Sequence, residues 1–162
     1  MSSVPALDNR MFQGIRVIEL AQFVFVPAAG ALLADLGADV IKIESSTRLD
    51  SLRMAGPYKD GKPGVNRSGY FADRNTSKRG ITVDMKHPKA LGLIRKLIAQ
   101  SDIVANNFAA GVMEKFGLGY EDCKRIRPTS STSACPCRAR RGRSVTSVAP
   151  AAASPHSPAF RT

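Results

Sequence analysis

Two short segments of this 162-residue sequence stand where ligand chemistry would be expected. Ala21 to Val24 and Asn107–Phe108 each follow a β-rich run, and open parallel sheets collect their ligands beyond the carboxyl ends of their strands. Arg74, Lys78 and Arg79 make a basic cluster that suits either a phosphate or a solvated loop face. Cys135 and Cys137 enclose a single proline, with only His156 nearby. Zinc ligands usually stand about two to four residues apart and need two further partners, so no metal is expected there. His87 precedes Pro88 at a helix start, a place that suits capping better than proton transfer. No Gly-x-Gly-x-x-Gly, Walker or serine-elbow motif is present, so nucleotide hydrolysis and serine hydrolysis find no support.

The elements that must position these residues are legible as far as Pro128. Gly14 to Leu20 alternates apolar and polar residues as a strand does, Ala28 to Gly37 reads as a small-residue helix closed by glycine, and Asp39 to Glu44 is a second strand. Strand-helix-strand units with short connections build parallel sheets with right-handed crossovers. Ser45 to Arg79 has no period and reads as a long surface excursion, a length that usually carries function. Gly80 to Met85 is a third strand. Pro88 to Gln100 is an amphipathic helix with Leu91, Ile94, Leu97 and Ile98 on one face, and Asp102 to Ala105 is a fourth strand. Ala109 to Phe116 is a further helix stopped by Gly117. Alternation of this kind predicts an α/β fold.

Charge and composition divide the chain at the same place. Residues 1–128 carry 19 Lys and Arg against all 13 Asp and Glu, whereas 129–162 carry five Arg and no acid. Of those last 34 residues, 27 are Ser, Thr, Ala, Pro or Arg, which cannot bury enough apolar surface to offset the entropy of ordering. The expectation is one incomplete domain over 1–128 and an unstructured basic tail over 129–162. No apolar run reaches the roughly 18 residues of a membrane span. Met1 to Arg10 lacks the order of a secretory signal. A cytoplasmic protein with reduced thiols at Cys123, Cys135 and Cys137 is therefore expected. An arginine-rich tail could bind nucleic acid weakly, but with Phe160 as its one ring and no helical stripe, nucleic acid is an unfavoured partner.

Four stretches together carry a family resemblance: Gly14 to Leu20, Leu32 to Glu44, Asn75 to Met85, and Ser101 to Phe108 running on to Gly117–Tyr120. In order and spacing they resemble the family III CoA-transferases, the CaiB/BaiF family, which includes formyl-CoA transferase, carnitine CoA-transferases and α-methylacyl-CoA racemase. The resemblance covers residues 12–128. It implies a Rossmann-like open parallel sheet, the N-terminal part of the family fold. It also implies acyl-CoA and a carboxylic acid acceptor as substrates, no tightly bound cofactor or metal, and an interlocked homodimer for a full-length member. Carried over by position, Gln22, Phe23 and Val24 would line the thioester end of CoA. Asn107 and Phe108 would lie beside the CoA, and Lys115 near its phosphates. The family's usual Gly-Pro is Val26-Pro27 here, and Ser45 stands where formyl-CoA transferase has an arginine for CoA.

Family members continue past this point with an apolar strand and a glycine-rich active-site segment, neither of which follows Pro128. If one base is restored after the Pro128 codon, the codons of Thr129 to Ala139 permit the reading Asp-Ile-Ile-Tyr-Val-Ser-Met-Pro-Met-Gln-Gly, a strand of the family type. Carried on, Ser154 to Phe160 permits Leu-Thr-Ala-Leu-Thr-Gly-Leu, like the family's next helix. The tail thus reads as out-of-frame translation. The family nucleophile is an aspartate in the replaced segment, which attacks the thioester to give a mixed anhydride and then an enzyme thioester. No acid follows Asp122, so no catalytic residue is assigned and the chain is expected to bind without turnover. In the restored frame the aspartate's position falls at Ala151, whose codon excludes Asp. That leaves open a slipped alignment or a glycine-bearing branch. A racemase of the family and a non-catalytic basic module are the alternative readings.

Overall fold

A computed structural model of the chain describes residues 10–128 and the backbone of 131–134. The chain enters on β1 (Arg16–Leu20), crosses by α1 (Phe25–Asp35) to β2 (Asp39–Glu44), and makes an excursion containing α2 (Gly69–Arg74) before β3 (Arg79–Thr82). Then α3 (Ala90–Ala99) returns it to β4 (Ile103–Asn106) on the other side of β1. α4 (Val112–Lys115), α5 (Tyr120–Ile126) and β5 (Ser131–Ala134) follow. All strands are parallel, in the order β3-β2-β1-β4-β5. The expected α/β architecture is therefore present. Among the described residues no helix is long and apolar enough to cross a membrane, and no three metal-ligating side chains gather.

The two faces of the sheet are made differently. Ile18, Leu20, Ile41, Ile43 and Val104 pack against Ile94 and Ile98 of α3, with Met113, Leu118 and Cys123 completing this larger core. The predicted stripe on α3 is the one that is used, since Ile94 and Ile98 are buried and Leu91 and Leu97 pack at its margin. On the α1 face, Val17 and Val40 form a smaller buried cluster with the alanines Ala34 and Ala38, edged by Phe12, Ile15 and Leu33. The next inward positions in register are Glu19 and Lys42, a cross-strand pair that is buried. Such a face needs a helix of small residues. Gly30 lies so close that a Cβ there would stand 2.1 Å from Glu19 Oε2.

α1 begins at Phe25 rather than Ala28, because Pro27 is tolerated in a first turn where its missing N–H has no helical acceptor. It ends at Gly37, whose φ of 98° supports the closing bonds Gly37 N–H to Ala34 O and Ala38 N–H to Leu33 O. α5 was not anticipated. Its Asp122 side chain caps the Gly119 N–H at 3.2 Å, a signal visible only once Gly119 is recognised as a helix start.

One expectation is corrected. The Ser45 to Arg79 excursion is not a loop that merely runs over the surface, because Asp50, Leu52 and Ser68 are buried. Ser68 Oγ ties Leu52 O at 2.7 Å and Ala55 O at 2.6 Å. Arg53 pairs with Glu44 at 2.7 Å and stacks 3.7 Å over the Phe71 ring. The polar residues of the excursion are satisfied internally rather than by solvent, which composition does not reveal. The backbone of Ser131–Ala134 pairs in parallel with β4, Ile103 opposite Ser131 and Asn106 opposite Ala134. The edge of β4 offers unpaired N–H and C=O groups, and a ladder needs an extended backbone rather than apolar side chains. Cys135, Cys137, His156 and the arginine run lie outside the described residues.

Gly30 and Gly92 are both helical, yet their surroundings predict opposite responses. Nothing lies within 4 Å of a Cβ at Gly92. Gly92→Ala is expected to raise stability by about 0.5–1 kcal/mol, read as a higher urea midpoint, whereas Gly30→Ala lowers it by about 2–3 kcal/mol through overpacking onto the buried charges.

A pH dependence follows from Glu44. Burial opposes its charge, but the Arg53 guanidinium and the Asp50 N–H outweigh burial and hold its carboxyl below the ordinary value of 4.5. A carboxylate with a depressed folded value stabilises above that ordinary value, and the contribution is lost as the pH falls through the folded one. Urea midpoints measured between pH 7 and 3 should therefore fall on the acid side. Arg53→Gln should flatten that fall and lower stability at neutral pH.

Candidate functional site

The chain order reverses at β1. β2 and β3 extend the sheet to one side and β4 to the other, and the carboxyl ends on either side of such a reversal frame a crevice. Gln22 follows β1 and Asn107 follows β4. The Gln22 N–H donates to Asn107 Oδ1 at 3.1 Å, and Asn107 Nδ2 donates to Gln22 O at 2.5 Å. The Asn107 amide thus acts as one more rung beyond the Leu20–Asn106 pair, joining the two segments across the crevice.

A cleft of about 530 Å³ opens beyond the strand ends, within the size usual for small-molecule sites. Gln22, Phe108 and Phe116 line it on the β1 and β4 side, and Arg48, Met85 and Lys86 line it on the β2 and β3 side. Of the expected residues, Gln22 and Phe108 therefore face the same cleft. Asn107 supports Gln22 from behind, and its amide lies across the crevice rather than capping α4. Phe23 is exposed, with φ of 65°. Val24 is half-buried and its carbonyl accepts the Ala28 N–H at 2.8 Å, opening α1. Lys115 is exposed on α4 and is not part of the cleft wall. The cleft's cations are Arg48 and Lys86 instead. Lys86 had a usable signal, since it follows β3 as Gln22 follows β1. Arg48 had none, because it lies in the aperiodic excursion. Ser45 also lines the cleft, its hydroxyl 2.8 Å from that of Thr47.

The basic cluster Arg74, Lys78 and Arg79 is not one patch. Arg79 turns to Asp39, and Arg74 pairs with the neighbouring Asp73 at 3.3 Å. Lys78 goes inward, its side chain only 2% exposed, to Glu19 Oε2 at 2.8 Å and Pro27 O at 2.7 Å. Burial holds its ammonium below the ordinary lysine value, and Glu19 offsets only part of that effect. On the other side of Glu19, Lys42 Nζ sits 3.2 Å from Glu19 Oε1, 3.2 Å from Asp50 Oδ2 and 2.7 Å from Ala21 O. Two acids and two bases thus neutralise one another directly behind the cleft loop. Removing one member of such a buried set costs about 3–5 kcal/mol, because its partner is left uncompensated. His87 is exposed and its Nδ1 accepts the Lys89 N–H at 3.2 Å, a capping contact.

Known proteins resemble this chain in sequence and in fold. The family described as CoA-transferase family III matches residues 12–129. The succinate–glutarate CoA-transferase of Agrobacterium fabrum is 42% identical over 117 residues, which is 71% of this chain and 29% of that one. The cinnamoyl-CoA:phenyllactate CoA-transferase of Clostridium sporogenes is 38% identical over 122 residues, 75% of this chain and 29% of that one. A solved CAIB/BAIF family protein from Brucella suis superposes with a TM-score of 0.67 at 38% identity, over 75% of this chain and 32% of its own. The chain therefore spans about 29% of the length of these curated relatives. With the family match running through most of its length, this chain belongs to CoA-transferase family III.

Proposed function

We propose that residues 10–128 form part of a coenzyme A site, from a protein that moves CoA between an acyl-CoA thioester and a carboxylic acid. The observation that carries this reading is the cleft at the chain reversal, where Gln22 and Phe108 share a wall with the cations Arg48 and Lys86. CoA presents phosphates, which call for cations, and an adenine and pantetheine arm, which call for an apolar and amide-rich wall. Gln22, Phe23, Val24, Asn107 and Phe108 keep the roles the resemblance gives them. Lys115, exposed beside the cleft, would reach phosphate only through a long flexible arm. The family's aspartate nucleophile has no counterpart among the acids of this sequence, none of which follows Asp122. The 162-residue chain therefore binds CoA without transferring it.

The same reading holds residues 129–162 to be an out-of-frame continuation of a longer, cytoplasmic transferase. Support comes from the family match, which stops at residue 129, where the composition changes. The parent is a homodimer. Phe25 at 81% exposure and Leu32 at 60% leave an apolar stripe on α1, as expected of a surface covered in a larger assembly.

Two experiments test this. In a calorimetric titration the chain should take up CoA, with Arg48→Ala and Lys86→Ala each weakening it about tenfold, the value of a charge-assisted contact. A panel of acyl-CoA donors and carboxylic acids should show no exchange. Absence of CoA binding would refute the site. Separately, sequencing genomic DNA and transcript across the codons for Arg127 to Ala139 should reveal an extra base or an open family-like frame downstream. Neither being found would refute the frame reading.

A further inference from the structure

The backbone of Ala21 to Phe23 is held by side chains from three distant parts of the chain. Lys42 Nζ on β2 donates to Ala21 O at 2.7 Å, and Asp50 Oδ1 in the excursion accepts the Phe23 N–H at 3.1 Å. Asn107 takes both backbone groups of Gln22 between them. Phe23 has φ of 65°, a left-handed conformation that side-chain-bearing residues seldom adopt. Such conformations persist only where the surroundings over-determine them.

Lys42 and Asp50 belong to the buried four-charge cluster with Glu19 and Lys78, and a cavity of about 340 Å³ adjoins it, lined by Lys42, Arg53, Phe71, Asn75 and Lys78. That cavity is not an anion site. Lys42 is spent on Glu19, Asp50 and Ala21 O, Lys78 on Glu19, Pro27 O, Arg74 O and Asn75 Oδ1, and Arg53 on Glu44. What the cluster does offer is directed bonds to the Ala21–Phe23 loop, which carries Gln22 into the cleft wall. A Glu19–Lys42 pair alone would serve to join β1 to β2. Asp50 adds nothing to that ladder. It divides its two oxygens between Lys42 and the N–H groups of Phe23 and Leu52, so it couples the excursion to the cleft loop.

We infer that the buried cluster Glu19, Lys42, Asp50 and Lys78 is a positioning device, in which Lys42 and Asp50 fix the peptides on either side of Gln22 so that this residue faces the cleft. For its ligand this rests on the CoA reading above. Asp50 and Lys42 are positioning residues and touch no substrate.

The test compares two charge-balanced variants of the 162-residue chain, Lys42→Met/Asp50→Asn and Lys42→Met/Asp50→Ala. Both leave Glu19 and Lys78 as a neutral pair, but only Asn keeps an acceptor for the Phe23 N–H. Amide hydrogen exchange is followed by NMR, with the Ile94 and Ile98 amides reporting the core, alongside CoA titration. The Asn variant, which keeps the Phe23 acceptor but lacks the Lys42 bond to Ala21 O, should keep Phe23 protection and lose about threefold in CoA affinity. The Ala variant should lose both by about tenfold or more while the core amides stay protected. Equal Phe23 protection in the two variants overturns the inference, as does an opened loop with unchanged CoA affinity. If the Ala variant lacks a protected core, the Asn variant decides alone, retained Phe23 protection upholding the inference and its loss overturning it. If the unsubstituted chain takes up no CoA, the CoA reading fails, and Phe23 exchange alone decides the positioning.

Discussion

The ammonium of Lys42 is the point on which the rest of this domain depends. It sits on a central strand, 4% exposed, with a carboxylate on each side and the Ala21 carbonyl in front. A charge so placed is tolerable only when every donor is taken, and each acceptor comes from a different part of the chain. Glu19 supplies the neighbouring strand, Asp50 the excursion and Ala21 the cleft loop. One buried cation therefore makes the sheet, the long connection and the ligand loop mutually dependent.

The same constraint explains the asymmetry of the two sheet faces. Opposite α3 the sheet presents Ile and Val, and the interface is ordinary apolar packing that tolerates an exposed glycine at Gly92. Opposite α1 the charges must be covered without being crowded. The helix there is accordingly built from Ala and Gly, with Gly30 directly over Glu19. Its outward side keeps Phe25 and Leu32, which the domain itself leaves uncovered.

The strands were readable because period-2 alternation and β-branched residues mark them locally. β2 has the bounds its sequence suggests, and β1 and β4 shift by only a residue or two. The stripe of α3 was readable for the same reason. The excursion was not, since the burial of Asp50 and Ser68 depends on partners far along the chain, and composition alone makes such residues look solvated. Lys78 shows the limit most clearly. In sequence it is one of three neighbouring cations, yet in space its ammonium turns inward to the carboxylate of Glu19, 59 residues earlier in the chain. Gln22 and Phe108 could be placed by resemblance and by the rule of strand ends. The bond between Gln22 and Asn107 joins residues 85 apart in sequence, and that pairing emerges only with the sheet order.

The account stands or falls on whether the cleft at the chain reversal receives CoA. An NMR titration of the isotopically labelled 162-residue chain with CoA reads this residue by residue. The account predicts amide shifts concentrated at Gln22, Arg48, Lys86 and Phe108, with Ile94, Ile98 and the α5 residues unmoved. Shifts confined to surfaces away from the strand ends, or no shifts at any CoA concentration reached, would contradict it.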